Sequence, residues 1–135
     1  AESLCAAYYY EFGLPVKIAR LSQIIGAAVD YDDNRVFAQF ARCIVEKKDI
    51  VLKTNGASVR SYCYITDAVI AILAMLEKGK NGNSYNVANP DTTCSIKEMA
   101  EMLCKKYPSS KVCFDLNQNT DYYLKGINYY LQIYR

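Results

Sequence analysis

A single α/β domain is the fold class that the sequence predicts, and three observations predict it. Segments with helical spacing alternate with short β-rich runs, no segment repeats another, and no Pro- or Ser-rich linker interrupts the order. The chain has 135 residues, 52% of them apolar. A domain of this size buries roughly two-thirds of the surface its unfolded chain exposes, so it needs no staple or metal.

The elements follow in order. Residues 1–12 read as the body of a helix, with Leu4, Tyr8 and Phe12 on one stripe and Gly13 placed to take a left-handed terminating conformation. No cap precedes it, so the helix is expected to begin upstream of residue 1. Val16 to Leu21 alternates as a strand does, and a loop is expected from Ser22 to Asn34. Asp33 or Asn34 can cap a helix to about Lys48, with Val36, Phe40, Cys43 and Ile44 inward. Ile50-Val51-Leu52 is a short strand, Asn55-Gly56 a hairpin-type turn and Ser58 to Tyr62 its return. Thr66 or Asp67 opens a helix that Gly79 closes, with Val69, Ile70, Leu73 and Leu76 expected to face the core. Ser84 to Ala88 is a strand. Ser95-Ile96-Lys97-Glu98 is a capping box for a helix running to Tyr107, and Lys111 to Asp115 is a last strand.

Composition excludes more than it suggests. With 16 basic and 14 acidic side chains, the net charge of +2 supplies no argument for nucleic acid or a membrane surface. The chain contains no histidine, which removes Ser-His-Asp and Cys-His hydrolases and imidazole acid/base steps. Its six cysteines sit singly in apolar segments with no C-x-x-C pair, so they read as free thiols of a reducing cytoplasm and offer no metal site. The longest apolar run, Ala68 to Leu76, is about half of the roughly 20 residues that a membrane-spanning helix needs.

Three features could carry chemistry. Arg60, near Tyr62, Tyr64 and Asp67, is a planar cation at a strand end that suits phosphate or carboxylate, or else a solvated ion pair. The segment after the Val16 strand lies where open α/β sheets bind ligands. Lys47-Lys48 and Lys105-Lys106 sit at helix C-termini, where the macrodipole already favours cations. Glycine loops for a dinucleotide or a nucleotide phosphate are absent, as is any nucleophile-base pair, so no catalytic residue is assigned.

Six stretches, in order, resemble the C-terminal half of the NAD-dependent epimerase/dehydratases, enzymes of the extended short-chain dehydrogenase/reductase family that act on nucleotide-sugars. Ala1-Glu2 matches the end of that family's Tyr-x-x-x-Lys-Arg-x-Ala-Glu helix, which would put the catalytic tyrosine and lysine just before residue 1. Gly13 to Leu21 resembles the strand that follows, which usually ends Arg-x-x-Asn-x-x-Gly-Pro, with Arg20 and Gly26 matching, Gln23 in place of asparagine and Ala27 in place of proline. Asn34 to Phe40 is similar to the helix start that reaches the nucleotide. Val59 to Val69 resembles the Arg-Asp/Ser-x-x-x-Val-x-Asp stretch. Ser84 to Asn89 and Ser95 to Ala100 fit the strand and helix that follow.

What the resemblance implies is a Rossmann-like α/β fold whose dinucleotide-binding half is missing, with residues 1–116 forming the substrate-binding portion. Residues 117–135, with Tyr122, Tyr123, Tyr129, Tyr130 and Tyr134, form an atypical tail. It implies that Arg60 holds the diphosphate, with Gln23, Arg35, Val36 and Asn89 as further contacts to a nucleotide-diphosphate sugar. Leu21 and Ser22 would lie against the NAD or NADP that a full-length relative holds. The implied full-length enzyme is a cytoplasmic homodimer of carbohydrate metabolism. The piece alone is expected to bind no dinucleotide and turn over no substrate. The alternative is a non-catalytic nucleotide-sugar binding or oligomerisation module.

Overall fold

The computed structural model describes residues 1–116, and the tyrosine-rich tail lies outside them. The sequence suggested one α/β unit; the described residues instead pack as two, each assembled from separate stretches of chain. Residues 1–30 and 60–94 form the first unit, and residues 31–59 with 95–116 form the second. Parallel pairs need long crossovers, and among the described residues three such pairs, two in the first unit and one in the second, join distant stretches of chain.

In the first unit, helix α1 (Glu2–Phe12) ends at Gly13, whose φ of 65° is left-handed and whose N–H donates to the Tyr9 carbonyl. Strand β1 (Ile18–Leu21) follows, then β2 (Gln23–Ile25), where a loop was expected. Strand β5 (Tyr62–Tyr64) leads directly into α3 (Ile65–Lys78), and β6 (Ser84–Val87) returns beside β1. Both pairs are parallel: Arg20 lies opposite Asn86, and Gln23 opposite Tyr62. The core consists of Cys63, Ala68 and Val87, with Ala19, Ile24 and Ala71 against it.

Helix α3 turns a different face inward from the one its sequence suggested. Val69, Ile70, Leu73 and Leu76 are all exposed, while Ala68 is buried. The helix is apolar almost all round, so hydrophobicity gives it no direction. The small residues Ala68 and Ala71 decide instead, because they allow close packing on the strands. The expected stripe on α1 is likewise exposed at Leu4, Tyr8 and Phe12.

The second unit holds α2 (Val36–Val45), β3 (Ile50–Leu52), α4 (Ile96–Lys106) and β8 (Val112–Phe114). Strand β3 pairs in parallel with β8, Ile50 opposite Val112. The hairpin expected around Asn55-Gly56 is therefore absent. Past that turn the chain bonds to the start of α4 instead, since Lys97 N–H donates to the Gly56 carbonyl and Ile96 N–H to that of Ser58. Phe40, Ile50, Leu52 and Ala100 form the core, packed by Cys43, Ile44, Leu103 and Val112. The two-residue strands β4 (Val59–Arg60) and β7 (Cys94–Ser95) carry the chain across, and a 3₁₀ turn at Pro90–Thr92 precedes β7.

Candidate functional site

The first unit gathers four of the seven anticipated residues around the end of β1. Leu21 is its last residue and is exposed; Ser22 follows, its N–H donating to the Val87 carbonyl at 3.0 Å. The Ser22 hydroxyl oxygen is buried and has no hydrogen-bond partner among the described residues. Gln23 opens β2, and its N–H donates to the Ser61 carbonyl at 3.2 Å. That bond sets Gln23 beside the residue that follows Arg60 in the chain.

Asn89 joins the same cluster through its backbone. Its carbonyl accepts from the Ser61 hydroxyl at 2.7 Å and from the Thr92 hydroxyl at 2.8 Å. Its side-chain oxygen accepts the Asp91 N–H at 3.0 Å, capping the 3₁₀ turn, and its amide N–H donors remain for a ligand. The Thr92 hydroxyl also bonds the backbone of Tyr62. Sequence reasoning missed this Ser61–Asn89–Thr92 staple, because a hydroxyl in a strand gives no sign of what it will reach.

Tyr62 itself is buried, which pushes its phenol above its ordinary value; the nearby Cys94 adds to this and the Arg60 guanidinium opposes it. Arg60 is exposed at the end of β4, two residues from that phenol. A guanidinium in this position can meet an anionic oxygen with charge-assisted bonds.

Arg35 and Val36 belong to the second unit. Arg35 is the N-cap residue of α2, and Val36, the first residue of that helix, is exposed. Asp33, expected as a possible helix cap, holds Arg35 instead. Its carboxylate accepts the Arg35 backbone N–H at 2.8 Å and the Nε and Nη2 donors at 2.8 and 2.5 Å. That pairing keeps the Asp33 carboxyl below its usual range.

Ser22 offers a buried hydroxyl with no partner among the described residues and Leu21 an exposed apolar side chain, and the sequence holds no glycine-rich loop for a pyrophosphate. No group of three or more Cys, Asp or Glu side chains among the described residues could hold a metal ion.

Residues 1–88, more than half of the chain, match the model of the NAD dependent epimerase/dehydratase family. UDP-D-apiose/UDP-D-xylose synthase 1 of Arabidopsis thaliana is 32% identical over 117 residues, covering 78% of this chain and 30% of that protein. UDP-N-acetyl-alpha-D-glucosaminuronate decarboxylase of Bacillus cytotoxicus is 33% identical over 113 residues, covering 82% and 35%. The chain thus spans about a third of the length of these relatives.

Among solved structures, a mutant UDP-glucuronic acid 4-epimerase from Bacillus cereus, in complex with NAD and a UDP-linked fluorinated glucuronic acid, superposes with a TM-score of 0.73. It is 27% identical, over 84% of this chain and 36% of that one. The dTDP-glucose 4,6-dehydratase of Bacillus anthracis shares the fold, with a TM-score of 0.72, 24% identity and coverage of 84% and 37%.

Proposed function

Because this chain belongs to the NAD-dependent epimerase/dehydratase family, we propose that it is the nucleotide-sugar binding portion of such an enzyme, its full-length form oxidising a sugar carbon by hydride transfer to NAD(P). The observation that carries the reading is that Gln23 and Asn89 both bond Ser61, the residue after Arg60, while Ser22 adjoins Gln23 in the chain and bonds the Val87 carbonyl. In this reading Arg60 takes the diphosphate, Gln23 a sugar hydroxyl and Asn89 the base through its amide. Ser22 and Leu21 meet the cofactor's ring. Arg35 and Val36 supply a further contact to the nucleotide from their own unit. In this reading the tyrosine and lysine that act as base and its partner are supplied from outside these 135 residues, and the chain alone is expected to turn over nothing. A cytoplasmic setting goes with this reading; no helix of the described residues is long and apolar enough to cross a membrane.

The test is thermal shift of this chain with UDP-, TDP-, CDP- and GDP-sugars, repeated with Arg60→Ala. Stabilisation that depends on the base and is lost in the variant supports the reading. No shift with any of the four overturns it. The exposed apolar side chains of α1 and α3 favour a second reading, an oligomerisation module, such as the homodimer that the resemblance implies. Light scattering that returns a monomer removes that second reading.

A further inference from the structure

We infer that Arg42 is a positioning residue for Arg35, fixing the segment before α2 so that Arg35 presents one edge of its guanidinium to an anionic oxygen of the nucleotide. The inference rests on the role proposed above for Arg35. Arg42 projects from α2 and is half-buried. Its Nη1 donates to the Tyr31 carbonyl and its Nη2 to the Asp33 carbonyl at 3.4 Å, while its Cζ lies 5.3 Å from the centre of the Tyr31 ring. The Tyr31 hydroxyl in turn donates to the Glu46 carboxylate, at the far end of the same helix. One helix side chain thus latches two carbonyls of a segment that has no helix or strand of its own.

Asp33, one of the two residues so latched, holds Arg35. It occupies the backbone N–H and the Nε/Nη2 edge of Arg35, and the Phe37 ring lies 4.7 Å from the Arg35 Cζ. Two constraints therefore set the rotamer, and the Nη1 edge carries no partner among the described residues. A fork held in this way loses less freedom when it meets an anion, so the arrangement raises affinity without Arg42 touching the ligand.

The experiment is calorimetric titration of the full chain with UDP in four forms: parent, Arg42→Ala, Arg35→Ala and the double variant. Arg42→Ala is expected to weaken binding by about three- to tenfold in the parent and to change nothing further once Arg35 is gone. An unchanged affinity in Arg42→Ala, or an equal loss in both backgrounds, overturns the inference, since a merely structural role ignores Arg35. If circular dichroism shows that Arg42→Ala does not fold, Arg42→Lys is read in the same way, because it keeps the charge without the two-carbonyl fork. If Arg35→Ala and Arg60→Ala weaken binding and Arg42→Ala does not, only the role of Arg42 falls. If the parent binds neither UDP nor TDP, CDP or GDP, the functional reading and this inference fall together; if it binds one of the others, the four forms are titrated with that nucleotide.

Discussion

Ser95 and Glu98 satisfy each other across the first turn of α4. The Glu98 N–H donates to the Ser95 hydroxyl at 3.1 Å, and the Ser95 N–H donates to a Glu98 carboxylate oxygen at 2.7 Å. Two backbone donors that the helix leaves orphaned are thereby paired. Ser95→Ala is expected to cost about 1 kcal/mol in urea unfolding followed by far-UV circular dichroism. An unchanged midpoint would show that the cap contributes nothing.

The same pair sets a pH dependence. The Ser95 backbone N–H, and then its hydroxyl, hold the Glu98 carboxyl below its ordinary value of 4.5. A carboxyl that titrates lower when folded adds stability that is fully present above the unfolded value and fades as pH falls through the folded one. Glu98→Gln should therefore flatten the acid limb of the stability curve as pH falls below the ordinary carboxyl value of 4.5. A limb as steep as the parent's would assign the acid sensitivity to other carboxylates.

Gly13 and Gly56 share a left-handed backbone, with φ of 65° and 68°, but not the same surroundings. A Cβ at Gly13 would meet nothing within 4 Å, whereas at Gly56 it would lie 2.9 Å from the Lys97 backbone nitrogen. Gly13→Ala should cost about 1–2 kcal/mol for the conformation alone. Gly56→Ala should cost more, because overpacking adds roughly 1–3 kcal/mol. Equal losses in thermal unfolding would contradict the close approach at Lys97.

Ser110 is buried at 2% exposure, and its hydroxyl oxygen has no partner among the described residues. Ser110→Ala removes a desolvated group that has no compensating bond, so stability should hold or rise by about 1 kcal/mol. A clear loss of stability would mean that the hydroxyl is bonded in solution.

Ile50 is 1% exposed in the core of its unit, whereas Leu73 on α3 is 59% exposed. Ile50→Ala should cost about 2–5 kcal/mol, and Leu73→Ala within about 0.5 kcal/mol. Comparable losses would show that the outer face of α3 is covered in solution.

Local signals in the sequence were the ones that proved legible. Gly13 ends α1 as its position suggested, and Ser95 with Glu98 caps α4. Each depends on a few neighbouring residues and the geometry of one turn. What depends on distant partners did not show. Asn55-Gly56 has hairpin chemistry, yet β3 takes its bonds from β8, because Ile50 N–H finds the Lys111 carbonyl and Asp115 N–H that of Leu52. The α3 face could not be read from a helix with apolar residues on every side. At the candidate site, Arg60 stood out by its residue type and Gln23 by the family resemblance, but the bond that sets Gln23 beside Arg60's neighbour runs to Ser61, which no motif marks.

The interleaving of the two units has a consequence for synthesis. β1 has to wait for β6, and β3 for β8, since each parallel pair closes around most of the intervening chain. A ribosome delivering this polypeptide from its N-terminus therefore releases Ile50-Val51-Leu52 long before Val112 to Phe114 can cover its bonding edge. Neither unit can fold as a contiguous early product. Closure of long-range parallel pairs is intrinsically slow, so the nascent chain spends its time with a sticky strand on display, and chaperone occupancy during translation should peak between the emergence of β3 and that of β8.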